Sequence, residues 1–153
     1  SKGAAMARTG EHPDYLLLAR VRRALRALND AIARGAVAEG ITLQEQAFLL
    51  GLAAYGGAEI PLADVREELE MDQASASVLL RRLVRKRMVA RARAKDRRAA
   101  QVSLTPKGWA TFRRSVGAIR GEIRRADHRG ELAALRSELA TYLSFYLRRG
   151  RGR

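Results

Sequence analysis

The chain contains no cysteine. A disulfide framework, a thiolate metal site and a thiol-based oxidant switch are therefore excluded. Histidine is nearly as scarce: His12 and His128 are widely spaced and have no partner pattern, so no metal site is expected. Apolar runs are short. Tyr15 to Ala19 and Ala47 to Tyr55, the second broken at Gly51, fall well below the roughly 18 residues of a membrane span. No charged segment followed by an apolar core opens the sequence, which reads as soluble, unexported and cytoplasmic, with no membrane partner. Catalytic signatures are missing too: there is no nucleophile elbow, phosphate-cradling glycine loop or zinc motif, and Gly56-Gly57 reads as a helix stop. No enzyme, catalytic residue or cofactor is expected. Acidic residues number 16 against 30 basic ones, a net charge of +14. Lysine occurs only at positions 2, 86, 95 and 107, so the other 26 cations are arginine. GC-rich coding accounts for part of that excess. The remainder favours a polyanionic partner, since the guanidinium fork suits phosphate and guanine.

What is present fits one compact domain with room for a helical extension: 153 residues, 47% hydrophobic and 30% charged. Leu18, Val21, Leu25, Leu28 and Ile32 recur at helical steps and predict a first helix over about 13–34, with Pro13 at its start and a break framed by Gly35 and Gly40. Thr42 and Glu45 form a capping box for a second helix, through about Tyr55. Ile60 and Pro61 are expected to begin a third, with Leu62, Val65 and Leu69 inward and Asp64, Glu67 and Glu68 outward. Asp72 is the N-cap of a fourth, whose stripe Ala76, Leu80 and Leu83 leaves an outer face of Gln73, Ala74, Ser77, Val78 and Arg81. From Val89 the period shortens, and Val89 onward and Gln101 to Leu104 predict two strands joined by Lys95-Asp96-Arg97-Arg98. Thr105 and Pro106 open a fifth helix with the stripe Trp109, Phe112, Val116, Ile119 and Ile123. After Gly130 a last helix carries Leu132, Leu135, Leu139, Tyr142 or Leu143, and Tyr146 on one side. The fold class is mostly α with a small β-hairpin.

Charge and apolar surface then point to partners. Ten cations between Arg81 and Arg98 face the single acid Asp96. That density on a helix end and a hairpin suits phosphate neutralisation and strongly salt-dependent binding to DNA. The middle helices and hairpin make a self-sufficient unit, whereas the first, fifth and last helices carry stripes that two intertwined copies would bury; a monomeric bundle is the alternative.

Residues 61–108 resemble the winged helix-turn-helix of the MarR family of bacterial transcription regulators. The likeness is carried by the turn Leu69 to Met71, Ser75 and Ser77 early in the fourth helix, and Leu83 six residues before Val89. The wing Asp96-Arg97-Arg98 and the closing Leu104-Thr105-Pro106-Lys107-Gly108 complete it. The flanking helices fit the family plan, so the likeness covers nearly the whole chain. It implies a homodimer joined through terminal helices, with helix four in the major groove and the wing in the minor groove. By position, Gln73, Ala74, Ser75, Ser77 and Val78 meet base edges. Arg81, Arg82 and Arg85 meet phosphates or bases, and Arg93, Lys95, Arg97 and Arg98 form the wing, with Asp96 orienting it. Dimerisation falls to Leu18, Leu132, Leu135, Leu139, Tyr142, Leu143 and Tyr146. Three positions depart from the pattern: Arg87 stands where a glycine is usual, Val78 where a polar residue is common, and Glu70 lies in the turn. The first bears on the helix-to-strand bend; the second removes a hydrogen bond and shifts specificity toward the wing and DNA shape.

The likeness also implies an effector pocket for a small aromatic or other anionic molecule, lined by Tyr15, Phe48, Tyr55, Trp109, Phe112 and Arg113, although aromatics at helical spacing equally serve core packing. The expected organisation is a disordered or cloning-derived segment over 1–10, a dimerisation helix over 11–40, the DNA-binding lobe over 41–104, dimerisation helices over 105–147 and a basic tail over 148–153. The expected function is a dimeric repressor on a pseudo-palindromic operator, cytoplasmic and nucleoid-associated in a bacterium. A sequence-nonspecific architectural binder, using the same arginines and the tail, is the first rival. A protein-interaction module presenting Asp64, Glu67 and Glu68 is the second.

Overall fold

The computed structural model describes residues 13–93, 100–127 and 130–147. Their order is α1 (Pro13–Ala38), α2 (Leu43–Ala54), β1 (Ile60–Pro61), α3 (Leu62–Glu68), α4 (Gln73–Arg85), β2 (Val89–Arg93), β3 (Ala100–Leu104), α5 (Pro106–Ala126) and α6 (Glu131–Leu147). The chain divides into two compact units, Ile32–Glu122 and the terminal segments Ser1–Ala31 with Ile123–Arg153. Among the described residues no helix is long and apolar enough to cross a membrane.

In the central unit, Phe48, Leu49 and Leu52 of α2 meet Val65 of α3, Leu79, Leu80 and Leu83 of α4, and Val89, Val102 and Leu104 of the sheet in one buried cluster. The sheet is antiparallel in the order β1-β3-β2, with Val89 opposite Leu104 and Ile60 opposite Val102. Ile60 and Pro61 are thus a strand, and α3 starts one residue later than the sequence predicts. A two-residue strand has no periodicity of its own; only its partner Val102 defines it.

Helices α1 to α4 all end in the same way. In each, the second residue past the cap donates its backbone N–H five residues back and the first donates it three back: Ile41 to Ala36 and Gly40 to Val37, Gly57 to Leu52 and Gly56 to Ala53, Met71 to Arg66 and Glu70 to Glu67, Met88 to Leu83 and Arg87 to Val84. This motif requires a left-handed residue, normally glycine. Gly40 and Gly56 meet that need at φ of 75° and 78°, but Glu70 and Arg87 adopt it at 50° and 60° despite their side chains. The bend into β2 is therefore kept without the glycine, with strain stored at Arg87.

Two expected stripes turn out rotated. On α1 the buried line is Val21, Ala24, Ala31 and Gly35, while Leu25 is exposed; on α5 it is Gly108, Thr111 and Ser115, with Trp109, Phe112, Val116 and Ile119 only half-buried. Small side chains let backbones approach closely. Gly35 lies inside α1 instead of breaking it, because a Cβ there would stand 2.6 Å from the Ile119 backbone. In the terminal unit, the backbone N–H groups of Leu132 and Ala133 donate to the Asp127 carboxylate at 2.8 and 3.2 Å, capping α6. The Tyr142 and Tyr146 rings lie 5.0 Å apart, tilted by 56°, and the Arg22 guanidinium holds the Tyr142 phenol below its usual pKa.

Candidate nucleic-acid interface

Helix α4 is anchored at both ends. At its start the Ser75 backbone N–H and hydroxyl donate to the two Asp72 carboxylate oxygens at 2.7 and 2.8 Å, which holds that carboxyl below the usual carboxylate range. Ser75, expected at a base edge, therefore spends its hydroxyl proton on the cap and keeps only acceptor capacity. Ala76, Leu79, Leu80 and Leu83 face the core. Gln73, Ala74, Val78, Arg81, Arg82 and Arg85 are exposed and Ser77 is half-buried, so the predicted outer face is the observed one. Among the described residues none of these three arginines has an ion-pair partner. Solvated, unpartnered guanidinium groups are the form in which phosphate is met at least desolvation cost.

At the other end the cap residue Lys86 turns inward. Its Nζ lies 2.7 Å from the carboxylate of Glu45, which is only 2% exposed, and donates to the Gly40 carbonyl at 3.2 Å. This pair ties the end of α4 to the first turn of α2, and it gives one of the ten cations of the basic block a carboxylate partner. Beside the start of α4 runs an open groove of about 510 Å³, lined by Gln44, Glu70, Met71, Ala74, Val78 and Arg82 among others. Gln44 is an exposed polar residue on the rim of this groove that the sequence does not single out. Nothing in its spacing marks it; α2 carries it there because Phe48, Leu49 and Leu52 dock against α4.

The hairpin leaves α4 through Val89 and returns through Leu104. The wing residues Lys95, Asp96, Arg97 and Arg98, and the Arg93 side chain, lie outside the described residues, as does the basic tail. The closing motif has a physical reason. Thr105 accepts from the Gly108 N–H at 3.0 Å as the cap of α5 and donates to the Arg87 carbonyl at 2.6 Å; a Cβ on Gly108 would overlap the Met88 carbonyl oxygen. Those contacts pin the start of α5 to the residues between α4 and β2.

Of the six residues expected around an effector, Trp109 and Phe112 pack against the core cluster that contains Phe48. Phe48 is fully buried in the core, which explains its apolar character by packing alone. Trp109 packs edge-on to Phe112 at 6.3 Å, with the Arg113 guanidinium 4.9 Å above its ring. The contact uses the face of the Arg113 guanidinium and not its in-plane N–H donors. Tyr55 is exposed and donates to Glu68 at 3.5 Å; the Glu68 charge raises its pKa. Tyr15 belongs to the terminal unit, on a groove with Leu18, Arg22, Arg23 and Arg26.

A buried helix pair whose second member exposes a polar and basic face, followed by a hairpin, defines a winged helix-turn-helix protein. Residues 39–99 match the model of the MarR family. The matched residues make up less than half of the chain, and through them it is similar to the MarR family. Solved structures share the fold. A mutant of MarR from E. coli complexed with operator DNA is 20% identical, with a TM-score of 0.67 over 83% of this chain and 90% of that one. The YusO protein from Bacillus subtilis is 20% identical, with a TM-score of 0.64 over 86% and 99%. BpsR from Bordetella bronchiseptica, whose DNA binding is regulated by 6-hydroxynicotinic acid, is 23% identical, with a TM-score of 0.62 over 78% and 92%. No curated protein sequence matches.

Proposed function

We propose that this chain is a homodimeric, sequence-specific repressor that occupies a pseudo-palindromic operator in the cytoplasm, its two α4 helices entering major grooves about one helical turn apart. The observation that carries this reading is the outer face of α4, where short polar side chains stand at the capped start and three unpaired arginines follow toward its end. Gln73, Ala74, Ser75, Ser77 and Val78 then meet base edges, and Arg81, Arg82 and Arg85 meet phosphates. The wing cations Arg93, Lys95, Arg97 and Arg98 reach the minor groove, with Asp96 orienting them.

Exposed apolar side chains support the dimer. Leu143, Tyr146 and Leu147 of α6, the last at 74%, and Tyr15 and Leu16 of α1 are uncovered in one copy, while Leu18, Leu132, Leu135, Leu139 and Tyr142 are half-buried. On the precedent of BpsR, release by a small aromatic or other anionic molecule is part of the proposal.

Selection from a random duplex pool at about physiological salt tests the reading, because the sequence-independent phosphate attraction is then partly suppressed. An enriched inverted repeat is expected. On it, Gln73→Ala should lose discrimination at particular base pairs by about 1–3 kcal/mol, while Arg85→Ala should weaken all sequences alike. Retained DNA binding with no enriched sequence would replace the repressor by the architectural binder that a charge of +14 also suits.

A further inference from the structure

The recognition face of α4 carries an apolar pair for which hydrogen-bond readout has no use. Ala74 and Val78 stand one turn apart, both exposed, Val78 to 38%. Residues four apart on a helix have Cβ atoms about 5–6 Å from one another, so the two form one small apolar surface. It is bordered by Gln73, Arg81 and Arg82, and Met71 continues it along the groove beside α4. Valine has no donor or acceptor and a stiff χ1 torsion, so it offers a base edge only shape and apolar contact. In the major groove the purines present acceptors at N7 and cytosine presents an amino donor; covering any of these with a valine would desolvate them without a partner. Thymine alone offers a methyl group there.

Resting on the reading of α4 as the major-groove helix, we propose that Ala74 and Val78 read the 5-methyl group of a thymine in each half-site. The exposed arginines Arg81, Arg82 and Arg85 supply the charge complementarity that seats this apolar pair against a polyanion. Val78 is then a determinant of specificity in its own right, not the mere loss of a hydrogen bond.

The full chain is tested on the inverted repeat recovered by pool selection, with each thymine of one half-site replaced in turn by deoxyuridine, which removes only the methyl group. One position is expected to lose about fourfold in affinity, the factor for one buried methyl group. Val78→Ser is expected to abolish the difference between the thymine and deoxyuridine duplexes at that position while its thermal midpoint stays unchanged. A purely structural role for Val78 would instead weaken both duplexes equally and keep their ratio. An enriched operator with no methyl-sensitive thymine, or with a sensitivity that persists in Val78→Ser, overturns the proposal and leaves the sequence-specific repressor standing. A pool without enrichment overturns both.

Discussion

The central unit and the terminal helices satisfy their apolar residues differently. In the central unit α2, α3, α4 and the sheet enclose Phe48, Leu49, Leu52, Leu80, Leu83 and Val102 almost completely. In the terminal segments the only hydrophobic side chains fully buried among the described residues are Val21, Ala24 and Ala31, while large ones such as Tyr15, Leu25, Tyr146 and Leu147 face outward. A chain that had to stand alone would gain by covering those residues, at roughly 25 cal/mol per Å² of apolar surface. Where the core closes on itself, the lobe presents function through polar and charged side chains. Where it stays open, large apolar side chains remain at the surface.

The strongest way to break this contrast is Gly108→Ala. Its methyl group would overlap backbone at Met88, which cannot give way as a flexible side chain would, so a loss of about 3 kcal/mol is expected in denaturant titrations. Trp109 is the sole tryptophan and reports that transition directly. Unchanged stability would mean that the α4–β2 junction is looser than its contacts indicate. On the terminal side, Leu139→Asp combined with Tyr146→Asp is expected to yield a monomer in sedimentation and to lower operator affinity at least about tenfold, since bivalent engagement is lost. A mass equal to that of the unaltered protein would sink the dimer.

Smaller effects sharpen the account of the lobe. Arg87→Gly should relieve the left-handed strain and stabilise by about 1 kcal/mol, whereas Gly40→Ala, at the same place in the same motif, should cost about as much. Equal signs in thermal melts would remove backbone strain as the cause. The least effect is expected at Asp72. Its carboxyl titrates lower in the folded chain than unfolded, so its contribution is complete above the unfolded pKa and is lost as pH falls through the depressed folded value. The acid limb of the stability curve should therefore flatten in Asp72→Ala.

Much of the lobe was legible because its signals are local. Thr42, Asp72 and Thr105 each cap the helix that their spacing marks, accepting from Glu45, Ser75 and Gly108. The inward stripe of α4 and its outer face followed from a period of 3.6 residues. Other features have no such signal. Strand β1 exists only through its register with β3, and the stripes of α1 and α5 were misjudged because large residues dominate the periodicity while small ones make the close contacts.

The sequence by itself determined the N-caps of α2, α4 and α5, which face of α4 is polar, and the surplus of arginine that calls for a polyanion. These depend on residues three or four apart. Only the tertiary structure decided that Lys86 pairs with Glu45, that Gln44 reaches the rim of the groove beside α4, and that Arg87 takes a glycine's conformation to make the bend. Each of those outcomes joins elements far apart in the chain, and the free energy that selects them comes from packing α2, α4 and the sheet around one core, which no local pattern records.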